Sequence, residues 1–248
     1  MLKVSLIKLK GKTNPSDKSC VKRHLMLVSE QNQHHKNAMT IGEAIFHITH
    51  IDNLPRVLGD NGLWCDNERK RRNIITRGIA YEAIKERRER RPVPTSRKGY
   101  LADYVPFYFA PRSPMLGAIH MGKIEGYKGG QQAVLHLVSK IEDVVESGIP
   151  FTFTNGHAEM IPTEFYEDTE NFSQIDWPLM RSQYWNDTDV DTNRKWRRQA
   201  EFLVYNKFPL ELIAGIGVIS KEVQSEVQQI LDKAGKQIKV AVCSSWYY

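Results

Sequence analysis

Three polar side chains stand where this sequence otherwise places apolar ones. Glu201 heads the run Glu201-Phe202-Leu203-Val204-Tyr205, Arg88 borders the apolar stripe of a basic helix, and His47 stands inside Ile45-Phe46-His47-Ile48-Thr49. In a strand Glu201, Leu203 and Tyr205 share one face, with Arg194, Lys195, Arg197 and Arg198 just upstream. A carboxylate in that position can accept a hydrogen bond from a sugar hydroxyl and stabilise a cationic sugar transition state. It can equally be a solvated charge at a sheet edge, and spacing alone leaves both readings open. Arg88 falls on a helical stripe with Tyr81 and Ile84, whereas Arg90 is displaced outward, so Arg88 either reaches a buried partner or snorkels to water. His47 and Thr49 point the same way from their strand. Two polar heads on one face suit ribose hydroxyls or a carboxamide, and a core histidine bonded to a backbone carbonyl is the competing reading. His157, on the turn Thr154-Asn155-Gly156-His157, is undetermined by spacing.

Charge adds a partner class. Between Arg69 and Lys98 stand twelve Lys or Arg against three Glu, a local excess of +9 in a chain whose net charge is +6, so the remainder carries −3. A block of that kind suits a phosphate backbone, although a solvated helix face has the same composition. Close by, Tyr104-Val-Pro-Phe-Tyr-Phe-Ala-Pro-Arg112-Ser-Pro-Met115 interleaves aromatics with an arginine, as platforms for unpaired bases do and as core aromatics also do. Glu159–Asp191 holds nine acids and one base, together with six aromatic residues. That mixture predicts a long ordered excursion packed over something, in the manner of a lid or substrate loop.

Several classes are excluded. There is no run of eighteen apolar residues, and Lys3, Lys8, Lys10 and Lys12 break the N-terminal stretch, which predicts a soluble, cytoplasmic protein without a membrane span. Cys20, Cys65 and Cys243 are odd in number and far apart, arguing against disulfides and zinc, and His34-His35 has no third ligand nearby, so no metal is expected. No Gly-x-Gly-x-x-Gly or Walker sequence is present.

The elements that must position these residues follow from periodicity. Residues 1–38 are polar and aperiodic and read as a disordered leader before an ordered domain at 39–248, with Met39 a candidate start of translation. Strands are expected at Ile45–Thr49, Tyr104–Phe109, Val134–Val138, Phe151–Thr154, Glu201–Tyr205, Ile213–Ile219 and Ile238–Val242. Pro106 suggests an edge position or a bulge. Helices are expected from Asp52, read as the cap before Asn53, Leu54 and the early Pro55, over Ile79–Arg91, from Ser113-Pro114 toward Met121, over Lys140–Glu146 and over Ser220–Ala234. The sum is an α+β domain on a twisted sheet, without the strand–helix alternation of a Rossmann fold.

Four stretches in this order carry a family resemblance: His47-Ile48-Thr49-His50-Ile51-Asp52-Asn53-Leu54, the helix Ile79-Ala80-Tyr81 through Glu86-Arg87-Arg88, the segment Tyr104 to Leu116, and Gln199-Ala200-Glu201-Phe202-Leu203-Val204. They resemble the DarT family of DNA ADP-ribosyltransferase toxins, in its thymine-modifying branch, from about residue 44 to Trp246-Tyr247-Tyr248. The resemblance implies a compact ADP-ribosyltransferase fold, related to the PARP-like transferases, in which two small twisted sheets with flanking helices form a cleft for NAD. It implies Glu201 and Arg88 as catalytic residues, NAD contacts at His47, Ile48, Thr49, Trp64 and Arg88, and DNA-side residues at Tyr108, Arg112, His157 and Arg194. Asn67–Arg88 corresponds to the family's NAD-covering element, here longer and more basic, and the 1–38 leader has no counterpart. NAD is then the co-substrate, with no metal, single-stranded DNA the acceptor, and a macrodomain antitoxin the partner of a monomeric enzyme. ADP-ribosylation of guanine, RNA or protein, and a non-enzymatic nucleic-acid-binding module that relies on the basic block, are the alternatives.

Overall fold

The computed structural model describes residues 44–248. The expected leader, the His34-His35 pair, Cys20 and Met39 lie outside the described residues. In chain order the elements are β1 (Ala44–His50), α1 (Leu54–Gly59), β2 (Gly62–Trp64), α2 (Asp66–Arg71), α3 (Glu82–Arg90), β3 (Tyr104–Tyr108), α4 (Pro114–His120), β4 (Val134–Lys140), α5 (Ile141–Glu146), β5 (Phe151–His157), β6 (Phe165–Tyr166), α6 (Trp177–Arg181), α7 (Arg194–Arg198), β7 (Ala200–Tyr205), β8 (Lys207–Pro209), β9 (Gly215–Val218), α8 (Lys221–Lys233) and β10 (Val240–Val242). None of these helices is long and apolar enough to cross a membrane.

Eight strands form one sheet in the order β10-β9-β4-β1-β3-β7-β5-β6, and β2 with β8 forms a separate ribbon. All described pairings are antiparallel except β9 with β10. The two expected small sheets are visible as halves of the large one. β1 meets β4 along seven register pairs but meets β3 only at Phe46↔Tyr108, so the sheet is split along the β1–β3 seam.

Pro106 explains part of that split, and its position corrects the expectation of an edge strand. β3 runs through the sheet interior, with Pro106 opposite Leu203 of β7. The Pro106 carbonyl faces β1, where it accepts from His47 Nδ1 at 2.8 Å. The missing N–H therefore falls on the side where the ladder is already open and costs no bond to β7.

Local chemistry sets the helix ends. Ser113 accepts from the Leu116 amide and Ser220 from the Val223 amide, each an N-cap of the expected kind. The expected helix at Ile79 begins only at Glu82, because Tyr81 is still extended (ψ 126°) and Ile79 is buried against Leu116 and Ile119 rather than in a helical turn. That helix stops at Arg91, held extended before Pro92. The cap after β1 is Asn53 rather than Asp52, which lies within a single turn of 3-10 helix, Ile51–Asn53.

Phe107, Phe153, Phe202 and Phe208 are fully buried at the centre of the main core, with Val227 and Leu231 of α8 packed into the same cluster. The excursion 159–191 contains β6, a 3-10 turn over Thr169–Gln174 and α6, and Phe172 and Trp177 pack against that core. The C-terminal residues are fastened beside it. Tyr247 donates to the carbonyls of Val134 (2.8 Å) and Gly217 (3.2 Å), and the Tyr248 hydroxyl accepts from Trp185 Nε1 at 2.8 Å.

His136 of β4 is fully buried among Phe46, Trp246 and Tyr247, and donates through Nε2 to the Pro111 carbonyl at 3.0 Å. Burial pulls its pKa down to about 4, with the carbonyl opposing. A histidine depressed in the folded state from an unfolded value of about 6.5 stabilises the fold above that value, and the contribution is lost as pH falls toward 4. We expect the unfolding free energy from urea titrations to drop by about 3 kcal/mol over that window. In His136→Gln the drop over the same window should be largely absent.

Candidate active site

Glu201 enters the site through a defect in the sheet. β5 and β7 pair in register at Phe153↔Phe202 and again at His157↔Ala200, with an irregularity between them. There the Glu201 amide finds no strand partner and donates instead to Thr154 Oγ1 at 3.0 Å, while that hydroxyl donates to the Gly156 carbonyl at 2.7 Å. Bulges of this kind re-aim side chains. A Cβ on Gly156 would lie 2.1 Å from Trp196, so only glycine lets α7 lie this close to the bulge.

On the other side, α3 delivers Arg88. Its Nη1 donates to Glu201 Oε2 at 2.8 Å, and the two residues are 8% and 5% exposed. The solvated-edge reading of Glu201 and the snorkelling reading of Arg88 are thereby excluded. Burial works against the guanidinium charge, but the Glu201 carboxylate outweighs it and holds the Arg88 pKa above its ordinary value. Arg88 Nη2 is buried and has no partner among the described residues. The pair is charged, desolvated and one donor short of satisfied, a state that favours an incoming acceptor.

His47, Ile48, Thr49, Trp64, Arg88, Tyr108 and Glu201 line one cavity of about 200 Å³. Tyr108 is the register partner of Glu201 across β3 and β7. Burial first, then the Glu201 carboxylate, push its phenol well above the ordinary value, so it stays protonated. Burial also lowers the His47 pKa against the Pro106 carbonyl, leaving the ring neutral at pH 7 with the proton on Nδ1 and a free lone pair on Nε2. The competing reading of His47, a histidine bonded to a backbone carbonyl, is the one observed, and its second nitrogen is left without a partner among the described residues. Trp64 stands between Arg72 (3.9 Å) and Lys207 (4.7 Å) as a pillar of the wall.

Arg112, His157 and Arg194 do not line this cavity. Arg112 stacks on the Tyr248 ring at 4.3 Å, and His157 Nδ1 accepts from the Glu159 amide at 3.2 Å. Arg194 donates to the carbonyls of Tyr184 (2.8 Å) and Asn186 (3.1 Å), fastening the end of the acidic excursion. Its neighbours are spent similarly. Arg197 pairs with Asp176 and Asp191, and Arg198 is buried against the carbonyls of Met180 and Ser182, with burial pulling its pKa down to about 10. Of the four bases upstream of Glu201, three are thus spent on internal bonds, and Lys195 is exposed with no side-chain partner among the described residues.

The basic block behaves likewise. Of its twelve cations, Arg69, Lys70, Arg71, Arg72, Arg77, Lys85, Arg87 and Arg88 pair with carboxylates. Arg90, Arg91, Arg97 and Lys98 form no ion pair among the described residues.

Sequence reasoning missed three residues of the site. Asn53 accepts from the Arg77 amide (2.7 Å) and donates to the Arg77 carbonyl (3.0 Å) and to Thr49 Oγ1 (3.1 Å), tying the segment before α3 to β1 at the cavity. Its cap-like position was the only signal. Arg69, held by Asp66 and Thr76, lines the cavity with a buried, unpartnered Nε, and Thr154 reads in sequence as an ordinary strand residue. No group of His, Cys, Asp and Glu among the described residues could hold a metal ion.

With this geometry in view, comparison with known proteins is decisive. The family model for the single-stranded-DNA thymidine ADP-ribosyltransferase DarT matches residues 46–248. The chain belongs to the DarT family. A DNA ADP-ribosyl transferase of Thermus sp. (strain 2.9) is 44% identical over 206 residues, 82% of this chain and 95% of that protein. The solved structure of Thermus sp. 2.9 DarT in complex with ADP-ribosylated single-stranded DNA superposes with a TM-score of 0.78 at 42% identity, covering 84% of this chain and 97% of that one. The same protein in complex with NAD+ gives 0.75 at 40% identity, covering 84% and 98%. The α+β ADP-ribosyltransferase fold expected from the sequence is thus the one observed. A more distant relative, a fusion of a DNA ADP-ribosyl transferase with a DNA ADP-ribosyl glycohydrolase from Thermosipho africanus, is 26% identical over 76% of this chain and 45% of that protein.

The pair is also a stability element. Glu201→Ala leaves the Arg88 charge buried and unpaired and should cost about 3–5 kcal/mol in denaturant unfolding. Adding Arg88→Met to that variant should recover most of the loss, so that the double-mutant cycle reports a large coupling.

Proposed function

We propose that this protein transfers ADP-ribose from NAD to thymine in single-stranded DNA, and that it acts as a toxin by blocking replication. The observation that carries the proposal is the buried Glu201–Arg88 pair at the floor of the cavity, in a chain of the DarT family. The NAD complex and the ADP-ribosylated DNA complex of the Thermus relative support the two substrates.

The cavity residues suit a dinucleotide. Arg69 Nε and Arg88 Nη2 are spare buried donors for an anionic or carbonyl ligand, and His47 Nε2 is a spare acceptor. In the proposed reaction Glu201 holds a hydroxyl of the nicotinamide-side ribose, so positive charge grows on the anomeric carbon where a carboxylate is already fixed. The bond from that carbon to nicotinamide breaks, nicotinamide keeping the electron pair, and a bond to thymine N3 forms as the N3 proton passes to solvent water. Arg88 cannot readily take that proton, since its guanidinium is held charged. Its role is to stabilise and orient the deprotonated thymine. Tyr108, neutral and lining the same cavity, offers a hydroxyl to the same base. Thymine N3 is exposed only when unpaired, which accounts for a single-stranded acceptor.

The reading includes a cytoplasmic, monomeric enzyme and a macrodomain antitoxin that removes the modification. The fusion relative, which joins a transferase to a glycohydrolase, supports a partner of that chemistry.

Incubation with NAD and oligonucleotides that differ only in one thymine should give a mass gain of one ADP-ribosyl group on the thymine-containing strand alone. In Glu201→Gln, which keeps a hydrogen-bond partner for Arg88, transfer should fall by about a hundredfold or more while oligonucleotide affinity is nearly unchanged. Modification of guanine-only strands would redirect the base assignment. Binding without nicotinamide release in the parent protein would favour a non-enzymatic module.

A further inference from the structure

Two of the four unpaired cations of the basic block, Arg90 and Arg91, share one side of a helix with Arg87. Arg90 and Arg91 close α3, and with Arg87 they fall at i, i+3 and i+4, so all three guanidinia leave the helix on one side. Against that side lies the turn that follows β5. Arg87 Nε donates to Glu159 Oε2 at 2.9 Å, and Arg91 reaches the carbonyls of Ala158 (3.4 Å) and Met160 (3.1 Å). Carbonyl bonds fix the Arg91 guanidinium without neutralising it. Arg90 is exposed and bonded to nothing among the described residues. Two acids face the stripe: Glu159, committed to Arg87, and Glu86, one turn before Arg90 on the same helix.

The same turn displays Met160 and Ile161, which are 50% and 89% exposed. An exposed isoleucine and methionine on the turn that Arg91 bonds give this surface an apolar part beside a cationic one. It also lies next to the chemistry. β5 ends at His157, whose register partner is Ala200, the residue before Glu201, and Arg88 lies between Arg87 and Arg91 on α3.

We infer that this surface is the docking platform for the nucleotides flanking the target base, an inference that rests on the reading of single-stranded DNA as acceptor. A neighbouring base packs on Met160 and Ile161, and the phosphates on either side of it lie on Arg87, Arg90 and Arg91. The stripe spans about 6 Å along the helix, the scale of one nucleotide step. Sequence-tolerant stacking combined with backbone charge contacts is how single strands are held without base readout. The platform therefore supplies affinity and direction for the strand, while the choice of base stays at the cavity.

The test compares thymine-containing acceptors of increasing length, from the mononucleotide to a nonamer, in the parent protein and in Arg90→Gln combined with Ile161→Ser. Both positions are exposed surface, and the thermal unfolding midpoint serves as a folding control. The parent should show a KM for the acceptor that falls with length. The variant should lose that gain, with KM for the nonamer raised about tenfold, kcat retained and KM for the mononucleotide unchanged. Its dependence of log KM on log salt should become shallower by about 0.7, the value of one phosphate contact on a single strand. Equal KM values and salt slopes in parent and variant at every length would overturn the platform. Absence of transfer to any oligonucleotide by the parent would overturn the acceptor assignment and the platform with it.

Discussion

The structure depends on one ion pair that has been taken out of water. Arg88 and Glu201 lie 113 residues apart in sequence and meet at 2.8 Å with almost no solvent contact. Desolvating two charges costs several kcal/mol per ion, and a hydrophobic pair of the same volume is often at least as stable. Stability alone therefore gives no reason for such a pair. Its geometry is determined from both ends: the β5–β7 bulge and Thr154 fix Glu201, while Arg87 and Arg91 pin α3 to the turn beyond β5. One buried nitrogen of Arg88 is left open. The fold thus keeps a charged, preorganised and incompletely satisfied group beside a cavity, as electrostatic stabilisation of a developing charge requires.

Charge elsewhere is mostly internal. The acidic excursion and the basic segments look in sequence like separate surfaces for separate partners, yet much of their charge serves to hold the chain together. Asp176 and Asp191 take Arg197, Glu159 takes Arg87, and Glu167 receives the amide and hydroxyl of Ser96. These contacts are partly exposed and individually weak. Their effect lies in number and placement, since they fasten the excursion against both the α3 side and the α7 side of the site. A run of like charge in sequence therefore overstates the charge available to a ligand.

The fold was legible wherever periodicity was strong. Strands β1, β3, β4, β5 and β7 and the helices opened by Ser113 and Ser220 lie where alternation and capping residues put them. Short elements such as α2, α6 and α7 were not legible, because five or six residues give too little period to read and their stability comes from tertiary contacts. Glu201 and Arg88 were visible as polar residues at apolar positions, but spacing could not join them across the sheet. The family resemblance pointed to both, and the geometry then brought them together. Asn53 and Thr154 stayed hidden for a different reason. Each acts through bonds to backbone atoms of a distant segment, which no local pattern records.

The location of the cavity follows from the same kind of long-range bond. A continuous ladder between β1 and β3 would leave no opening in the middle of an eight-stranded sheet. Pro106 has no N–H to offer β1, and His47 takes its carbonyl with a side-chain nitrogen instead of a backbone one. An imidazole is longer than an amide, so this bond holds the strands apart where a ladder bond would draw them together. The strands regain register contact only at Phe46↔Tyr108, at the end of β3. At that same level Tyr108 faces Glu201 across β7. The seam therefore opens beside the ion pair, and the histidine that props it open keeps its second nitrogen free toward the space it creates.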